Sequence, residues 1–304
     1  MLLTVLLRHR LAKRVLCALM VALMTATLAS CNNSKNADSA TQPTTEVTVA
    51  GTADETPKLN YERPFEFDQP VTQVLWEGSG EKVRKGEWVL LRMYAENAQS
   101  GEEIRNDFAS LPQAYLFTPD SIGSELYNAL VDLPFGSRVM HTSRAKGITQ
   151  VLVVDLLPAW STADPRPVDA GLPTVAYGPS GEPQVTVTEK LKKPNELVVQ
   201  QLKSGSGAQV QEKAQVLVQI VGTTWSKSKA FYSTWGKDAG PVHFKVGADK
   251  VIAGLDQALV DAPVGSQLLI VVPPELGFGQ TDSELAKETL VYIVDVLAAT
   301  TVPE

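Results

Sequence analysis

The chain has 304 residues, of which 44% are hydrophobic, and its 27 basic and 34 acidic side chains give a formal net charge of −7 at pH 7. This length is enough for two globular domains, each with its own hydrophobic core. The acidic balance argues against nucleic acid as a partner, because surfaces that bind nucleic acid are basic.

Residues 1–30 have the composition of a secretory signal peptide. They contain no acidic side chain, and their basic part is followed by an apolar run of about 15 residues. A membrane-spanning helix needs about 20 apolar residues, so this run is short for one. The basic side chains are Arg8, Arg10, Lys13 and Arg14. We therefore predict that residues 1–30 are removed after export.

The next residue, Cys31, ends the motif LASC at residues 28–31. This motif resembles the lipobox of bacterial lipoproteins, in which the cysteine thiol is acylated and becomes the new N-terminus. The resemblance implies a lipid anchor at Cys31 and an extracytoplasmic position at the cell membrane, where multiple acyl chains hold a protein firmly. The alternative is an ordinary thiol next to a signal cleavage site.

Removal of the leader would leave Cys31 without a second cysteine, since Cys17 lies within the removed segment. An internal disulfide and a metal site built on cysteines are then excluded. His141 and His243 are isolated and lack the spacing of metal ligands. No metal and no cofactor are predicted. The loss of four basic side chains also lowers the formal charge to about −11, which argues further against nucleic acid.

The segment that follows, residues 31–58, is polar and almost free of large apolar side chains. Such a composition cannot bury a core, so it predicts a disordered tether. The tether would hold the folded part of the protein just outside the membrane surface.

The rest of the chain contains an internal repeat. The segment GSGEKV at 78–83 is matched by GSGAQV at 205–210, an offset of 127 residues, and each copy precedes an apolar strand. The segment ALVDLPFGS at 129–137 is matched by ALVDAPVGS at 258–266, an offset of 129 residues. Nearly equal offsets predict a duplicated domain.

The predicted first domain, residues 59–160, lacks a loop that the second domain has. The short segment 144–147 leads directly to its last strand, and this segment contains neither a Pro-Pro pair nor a Gly-aromatic-Gly sequence. We expect this domain to keep the fold without the site, and to serve for spacing, for packing on the second domain, or for binding unfolded chains. The second domain, residues 161–304, begins with a Pro-rich stretch that predicts a semi-rigid linker.

Residues 241–279 are the most informative part of the chain. A strand leads through a turn at Gly247 into a short amphipathic helix, since apolar residues recur there at helical spacing. An apolar run at 268–272, rich in β-branched residues, predicts a buried strand, which ends at a Pro-Pro pair. The following loop contains the sequence Gly277-Phe278-Gly279.

The order VIAGLDQAL, VGS and VVPPELGFG resembles the FKBP type of peptidyl-prolyl cis-trans isomerase. The segments FYSTW, PVHFKVG and LVYIVDVL fall where that family has strands, and the resemblance covers roughly residues 171–299. It implies an α+β fold with two FKBP-like domains, each an antiparallel β-sheet wrapped around a short α-helix. It also implies that the second domain is an isomerase that helps exported proteins to fold at the outer face of the membrane.

The implied partners are proline-containing segments of unfolded or exported proteins, with macrolides as inhibitors. Rotation about an amide needs no nucleophile, acid or metal, because the barrier of about 18–20 kcal/mol comes from amide resonance. An apolar pocket that favours the twisted amide is therefore the expected site. The resemblance places the catalytic residues at Phe231, Val251, Ile252, Leu255, Phe278 and Tyr292. It places substrate-binding residues at Ile220, Tyr232, Trp235, Val242 and Leu285.

The alternative for each of these side chains is plain core packing, and Phe244 is assigned to the core. The family usually has Asp in place of Tyr232 and Tyr in place of Ile220 and Phe278, and the loop after Phe278 is short. These departures predict a slow enzyme. One alternative function is a non-catalytic chaperone or peptide-binding lipoprotein that uses the same groove. A solute-binding lipoprotein fits less well, because such receptors have an alternating βα pattern.

Overall fold

The computed structural model describes residues 46–301. The predicted signal peptide, Cys31 and residues 31–45 of the predicted tether lie outside the described residues. The described part belongs to one compact unit, and it contains two α+β domains, as the sequence predicts.

The first domain is a six-stranded antiparallel sheet with two short helices, preceded by a separate two-stranded hairpin. Its elements are β1 (Thr48–Ala50), β2 (Lys58–Asn60), β3 (Thr72–Trp76), β4 (Trp88–Asn97), β5 (Glu103–Asn106), β6 (Gln113–Leu116), α1 (Pro119–Ile122), α2 (Ser124–Leu130), β7 (Arg138–Ala145) and β8 (Ile148–Pro158). The strand order in the sheet is β3-β7-β8-β4-β5, and β6 pairs with the other end of β4.

The second domain has the same plan with one helix. Its elements are β9 (Thr174–Tyr177), β10 (Pro183–Thr186), β11 (Val198–Lys203), β12 (Gln215–Thr224), β13 (Ala230–Ser233), β14 (Val242–Lys245), α3 (Ala253–Leu259), β15 (Gln267–Val272) and β16 (Leu290–Ala299). The strand order is β11-β15-β16-β12-β13, with β14 paired to β12. Each sheet strand of the first domain thus has a counterpart in the second, as expected for a duplication.

The core of the second domain lies between its sheet and α3. Alternate residues of β12, Val216, Val218 and Ile220, face this core, because side chains of a strand alternate between the two faces of the sheet. Leu217 points to the opposite face, where it packs with Leu90 of the first domain. The strand that forms the wall of one core therefore also contacts the neighbouring domain.

Helix α3 approaches the sheet closely at Gly254, in its first turn. A Cβ atom at this position would lie 2.4 Å from Cγ1 of Val272 on β15. Real carbon atoms do not approach so closely, so the position requires glycine. This contact fixes the start of the helix, and with it Ile252, against the end of β15.

The prediction of a disordered tether is wrong for residues 46–58. Strands β1 and β2 pair in antiparallel register, and Val47 is buried in a cluster with Tyr61 and Phe65. Alternating apolar residues explain this order, since Val47, Val49 and Leu59 all pack on the first domain. The polar composition of the segment as a whole obscured this alternation of apolar residues.

The Pro-rich linker also ends in an ordered hairpin. Strands β9 and β10 pair with each other, and Pro183 occupies the first position of β10, where proline is tolerated. Val185 is buried against Leu269 and Ile293 on the outer face of the second sheet. The end of the linker therefore packs on the second domain, and it does so as a strand pair.

Within residues 46–301, no helix has the length and apolar character that crossing a membrane requires. The same residues contain no group of three or more His, Cys, Asp or Glu side chains placed to hold a metal ion.

Candidate active site

A cavity of about 700 Å³ lies between α3, the ends of β12 to β14 and the loop that joins β15 to β16. Ten of the eleven site residues predicted from the sequence line this cavity. They are Ile220, Phe231, Tyr232, Val242, Val251, Ile252, Leu255, Phe278, Leu285 and Tyr292.

The floor of the cavity is apolar and uncharged. Ile220, Leu255 and Tyr292 are each only 4% exposed and come from a strand, the helix and the last strand of the domain. Burial raises the pKa of the Tyr292 hydroxyl well above its ordinary value, so this group stays neutral. A substrate on this floor would meet hydrocarbon and one neutral phenol.

An aromatic pair forms one wall. The ring of Phe231 stands edge-on to the ring of Tyr292, with centroids 5.8 Å apart and an interplanar angle of 85°. Gly222 lies beneath both rings, since a Cβ atom there would be 2.8 Å from each of them. Gly222 was not predicted as a site residue, and the signal that could have indicated it is a glycine inside an otherwise apolar strand.

The opposite side of the cavity is set by a turn that precedes α3. The carboxylate of Asp256, on α3, accepts hydrogen bonds from the backbone N–H groups of Gly247 at 3.0 Å and Asp249 at 3.2 Å. Both turn residues have positive φ angles, of 66° and 53°. Asp256 thereby holds the turn that places Val251 and Ile252 at the cavity, a role that was not predicted from the sequence.

Phe278 enters the cavity from the loop between β15 and β16. The N–H of Gly279 donates to the carbonyl of Pro274 at 2.8 Å, which closes a tight turn around Phe278. A Cβ atom at Gly279 would lie 2.5 Å from that carbonyl oxygen. Glycine is therefore needed here for close approach of two backbone segments.

The rim is more polar than the floor and contains residues that were not assigned to the site. Phe244 was expected in the core; it is partly buried and packs against the core, and it also lines the cavity. Exposed His243, Asp249, Lys250 and Thr281 also lie at the rim. An apolar floor with a few polar groups at the mouth is typical of a ligand-binding cavity.

Residues 206–297 match the family of FKBP-type peptidyl-prolyl cis-trans isomerases. The chain is 29% identical over 124 residues to an FK506-binding protein of Streptomyces anulatus, which covers 40% of this chain and 91% of that protein. It is 30% identical over 108 residues to a "Probable FK506-binding protein" of Corynebacterium glutamicum, which covers 35% of this chain and 89% of that protein. The chain belongs to the FKBP-type isomerase family. The FKBP family binds proline-containing substrates and macrolides such as FK506, and membership supports isomerase activity.

Among solved structures, the crystal structure of the three FKBP domains of wheat FKBP73 covers 76% of this chain and 94% of that chain, with 20% identity and a TM-score of 0.31. FkpA from Escherichia coli covers 44% of this chain and 54% of that chain, with 25% identity and a TM-score of 0.32.

Trp235 is not part of the FKBP cavity, and its prediction as a substrate contact is wrong. The chain turns back at Thr234, whose N–H donates to the carbonyl of Ile220 at 3.0 Å. Trp235 therefore lies beyond the cavity wall and lines a second space of about 420 Å³ together with Trp88 and Trp160 of the first domain.

The first FKBP-like domain differs at the corresponding positions. Arg105 stands where Tyr232 does, and it binds Asp107 at 2.7 Å. Its guanidinium also donates to the hydroxyl of Tyr115, the counterpart of Phe244, at 3.3 Å. A short turn at 146–147 joins β7 to β8, so Phe278 has no counterpart. These features agree with a domain that keeps the fold without the site.

Proposed function

We propose that the second domain accelerates cis-trans isomerisation of Xaa-Pro bonds in exported proteins, and that a lipid on Cys31 holds it at the outer face of the cell membrane. The observation that carries the catalytic part is the convergence of ten predicted residues on one apolar cavity of about 700 Å³. The lipobox-like motif before Cys31 and the basic, then apolar, leader support the location.

The reaction needs little chemistry from the protein. Twisting the amide breaks its resonance and leaves a carbonyl and a pyramidal nitrogen that are less polar than the planar amide. A dry, apolar cavity favours this twisted state, because it cannot solvate the charge separation of the planar ground state. In this cavity Ile220, Leu255 and Tyr292 would support the proline ring.

The remaining roles follow from position. Phe231 and Phe278 would enclose the ring from two sides, and Val242 and Leu285 would contact the flanking residues of the peptide. Backbone groups at Val251 and Ile252 are placed at the start of α3, beside the cavity, where they can bind the peptide chain.

The test is the cis-to-trans rate of a short Xaa-Pro peptide, measured by exchange NMR with the full mature chain. We expect acceleration by the natural protein, and a roughly 2- to 10-fold higher kcat/KM for Phe278→Tyr, since a new hydrogen bond contributes about 0.5–1.5 kcal/mol. Leu285→Met, which adds no polar group, serves as the control at the same cavity.

A non-catalytic peptide-binding function is the second candidate. Phe231 and Tyr232 are 36% and 45% exposed at the rim, which gives unfolded chains an aromatic surface to bind. If only Phe278→Tyr accelerates exchange, while the natural chain binds the same peptide without effect on its rate, this function is selected. If neither protein binds the peptide, the cavity is not a peptide site.

The membrane anchor has its own test. Cells that express the natural chain should incorporate labelled palmitate into it and retain it in the membrane fraction, because multiple acyl chains make binding effectively stable. Cys31→Ser should lose both the label and the membrane association. Retention of Cys31→Ser in the membrane fraction would contradict a lipid anchor at this residue.

A further inference from the structure

The loop 234–241 joins the two strands that form one side of the FKBP cavity. At its start, β13 carries Phe231 and Tyr232, and at its end, β14 carries Val242 and Phe244. Any displacement of this loop would therefore change the spacing of four side chains that line the cavity. Residues 236–239 of the loop are exposed, so few contacts with the rest of the protein restrain them.

A tryptophan of the first domain contacts this loop directly. The indole N–H of Trp88, at the start of β4, donates to the carbonyl of Gly236 at 3.0 Å. The same ring covers Gly240, where a Cβ atom would lie 2.7 Å from the indole. Gly240 has a φ angle of 129°, so both its conformation and its contact with Trp88 require glycine.

Inside the second domain, the loop is closed on itself and attached to β12. The N–H of Gly240 donates to the carbonyl of Thr234 at 2.8 Å. The hydroxyl oxygen of Thr234 accepts from the N–H of Ile220, a floor residue, at 2.8 Å. A movement at the Trp88 contact would thus reach both the rim and the floor of the cavity.

The tryptophan is specific to the first domain. In the duplicated fold, the position of Trp88 corresponds to Gln215, which is exposed. Trp88 is also joined to the apolar contact between the domains, in which Leu90 packs with Leu217. Trp88 therefore contacts the loop while its own position is held by the apolar contact between the domains.

We propose that Trp88 is a positioning residue of the isomerase site, and that the first domain serves to hold the loop 234–241. This inference rests on the proposed function of the cavity. Trp88 does not touch the substrate. It fixes the loop so that Phe231 and Val242 keep the separation that a proline-containing peptide requires.

The experiment compares Trp88→Phe and Trp88→Ala with the natural chain, all in full length. Trp88→Phe removes the N–H donor and keeps most of the apolar contact, whereas Trp88→Ala removes both. We expect KM for an Xaa-Pro peptide to rise roughly threefold and tenfold, with kcat nearly unchanged, since weaker walls reduce binding of ground and transition states alike. Hydrogen exchange of the Gly240 amide should quicken in the same order.

Trp160→Phe is the matched control. Trp160 lines the same second cavity, but its ring packs on Phe135 of the first domain, at a centroid distance of 5.1 Å. An equal rise in KM for this variant, or unchanged KM and Gly240 exchange in both Trp88 variants, would overturn the inference. If the natural chain is not an isomerase, the dissociation constant of the same peptide replaces KM, and an unchanged value in the Trp88 variants still overturns it.

Discussion

Replacing Phe231 with alanine should lower kcat/KM for an Xaa-Pro peptide by roughly 10- to 100-fold, because an aromatic side chain buried against substrate contributes about 1.5–3 kcal/mol. The ring is one of two that stand edge-on in the cavity wall, 5.8 Å from Tyr292 between centroids. Its loss would open the wall beside the floor and admit water to the place where the amide twists. Exchange NMR on the full chain measures the effect.

The fold should survive this change, because Phe231 is 36% exposed in the free protein and lies on a short edge strand. Val199→Ala is the control, since Val199 is 44% exposed on the edge strand β11 and does not line the cavity. Both variants should unfold at nearly the same temperature as the natural chain. Full activity of Phe231→Ala would show that isomerisation takes place elsewhere on the protein.

The cavity could be predicted from sequence because its residues lie in short segments with a fixed order. Val251, Ile252 and Leu255 belong to one helix start, and Phe278 belongs to one glycine-flanked loop. Local spacing therefore determines how these side chains point. Resemblance to the family then indicated which apolar side chains line the cavity, a distinction that hydrophobic periodicity alone cannot make, because core and pocket residues share one face of each element.

The errors arose where the structure depends on contacts distant in sequence. Trp235 follows two pocket residues, but Thr234 bonds to Ile220 and turns the chain away. Val47 orders a polar segment only because the outer face of the first sheet is available to bury it. The contact of Trp88 with Gly236 spans 148 residues, and no pattern along the chain indicates it.

The two domains also differ in the cross-strand partner of a buried aspartate that occupies equivalent positions in both. Asp155 on β8 lies beside Arg138 on β7, and the guanidinium donates to its carboxylate at 2.8 Å. Asp295 is the counterpart on β16, where Gln267 replaces the arginine. Asp295 is fully buried, and one of its carboxyl oxygens has no hydrogen-bond partner among the described residues.

This aspartate also joins the linker to the second domain. Its other carboxyl oxygen accepts from the backbone N–H of Ser161 at 3.0 Å and from the amide of Gln267 at 2.9 Å. Lys203 is near, but its ammonium donates to the carbonyl of Ser161 and not to the carboxylate. Burial without a bound cation raises the pKa of Asp295 to about 7.

The pH dependence of stability follows from this raised pKa. An unfolded chain ionises Asp295 near pH 3.8 and the folded chain near pH 7, so the folded state binds the proton more tightly. The resulting stability is fully present below pH 3.8 and is lost as the pH rises to about 7, by about 4 kcal/mol in total. Asp295→Asn carries no proton to lose, and its free energy of unfolding should therefore change less over this range.

Urea unfolding of the full chain at pH 5 and pH 8 measures the effect as a difference between proteins, so that other carboxylates cancel. The natural chain should lose more stability than Asp295→Asn over this interval, by roughly 2–3 kcal/mol, because most of the titration lies above pH 5. Asp282→Asn, an exposed site in the same domain, should behave as the natural chain does. Gln267→Arg should also reduce the loss of stability between pH 5 and pH 8, since it supplies the cation that Asp155 has in the first domain. An equal change in the free energy of unfolding between pH 5 and pH 8 in the natural chain and in Asp295→Asn would contradict the prediction. It would mean that water or a counter-ion stabilises the buried carboxylate.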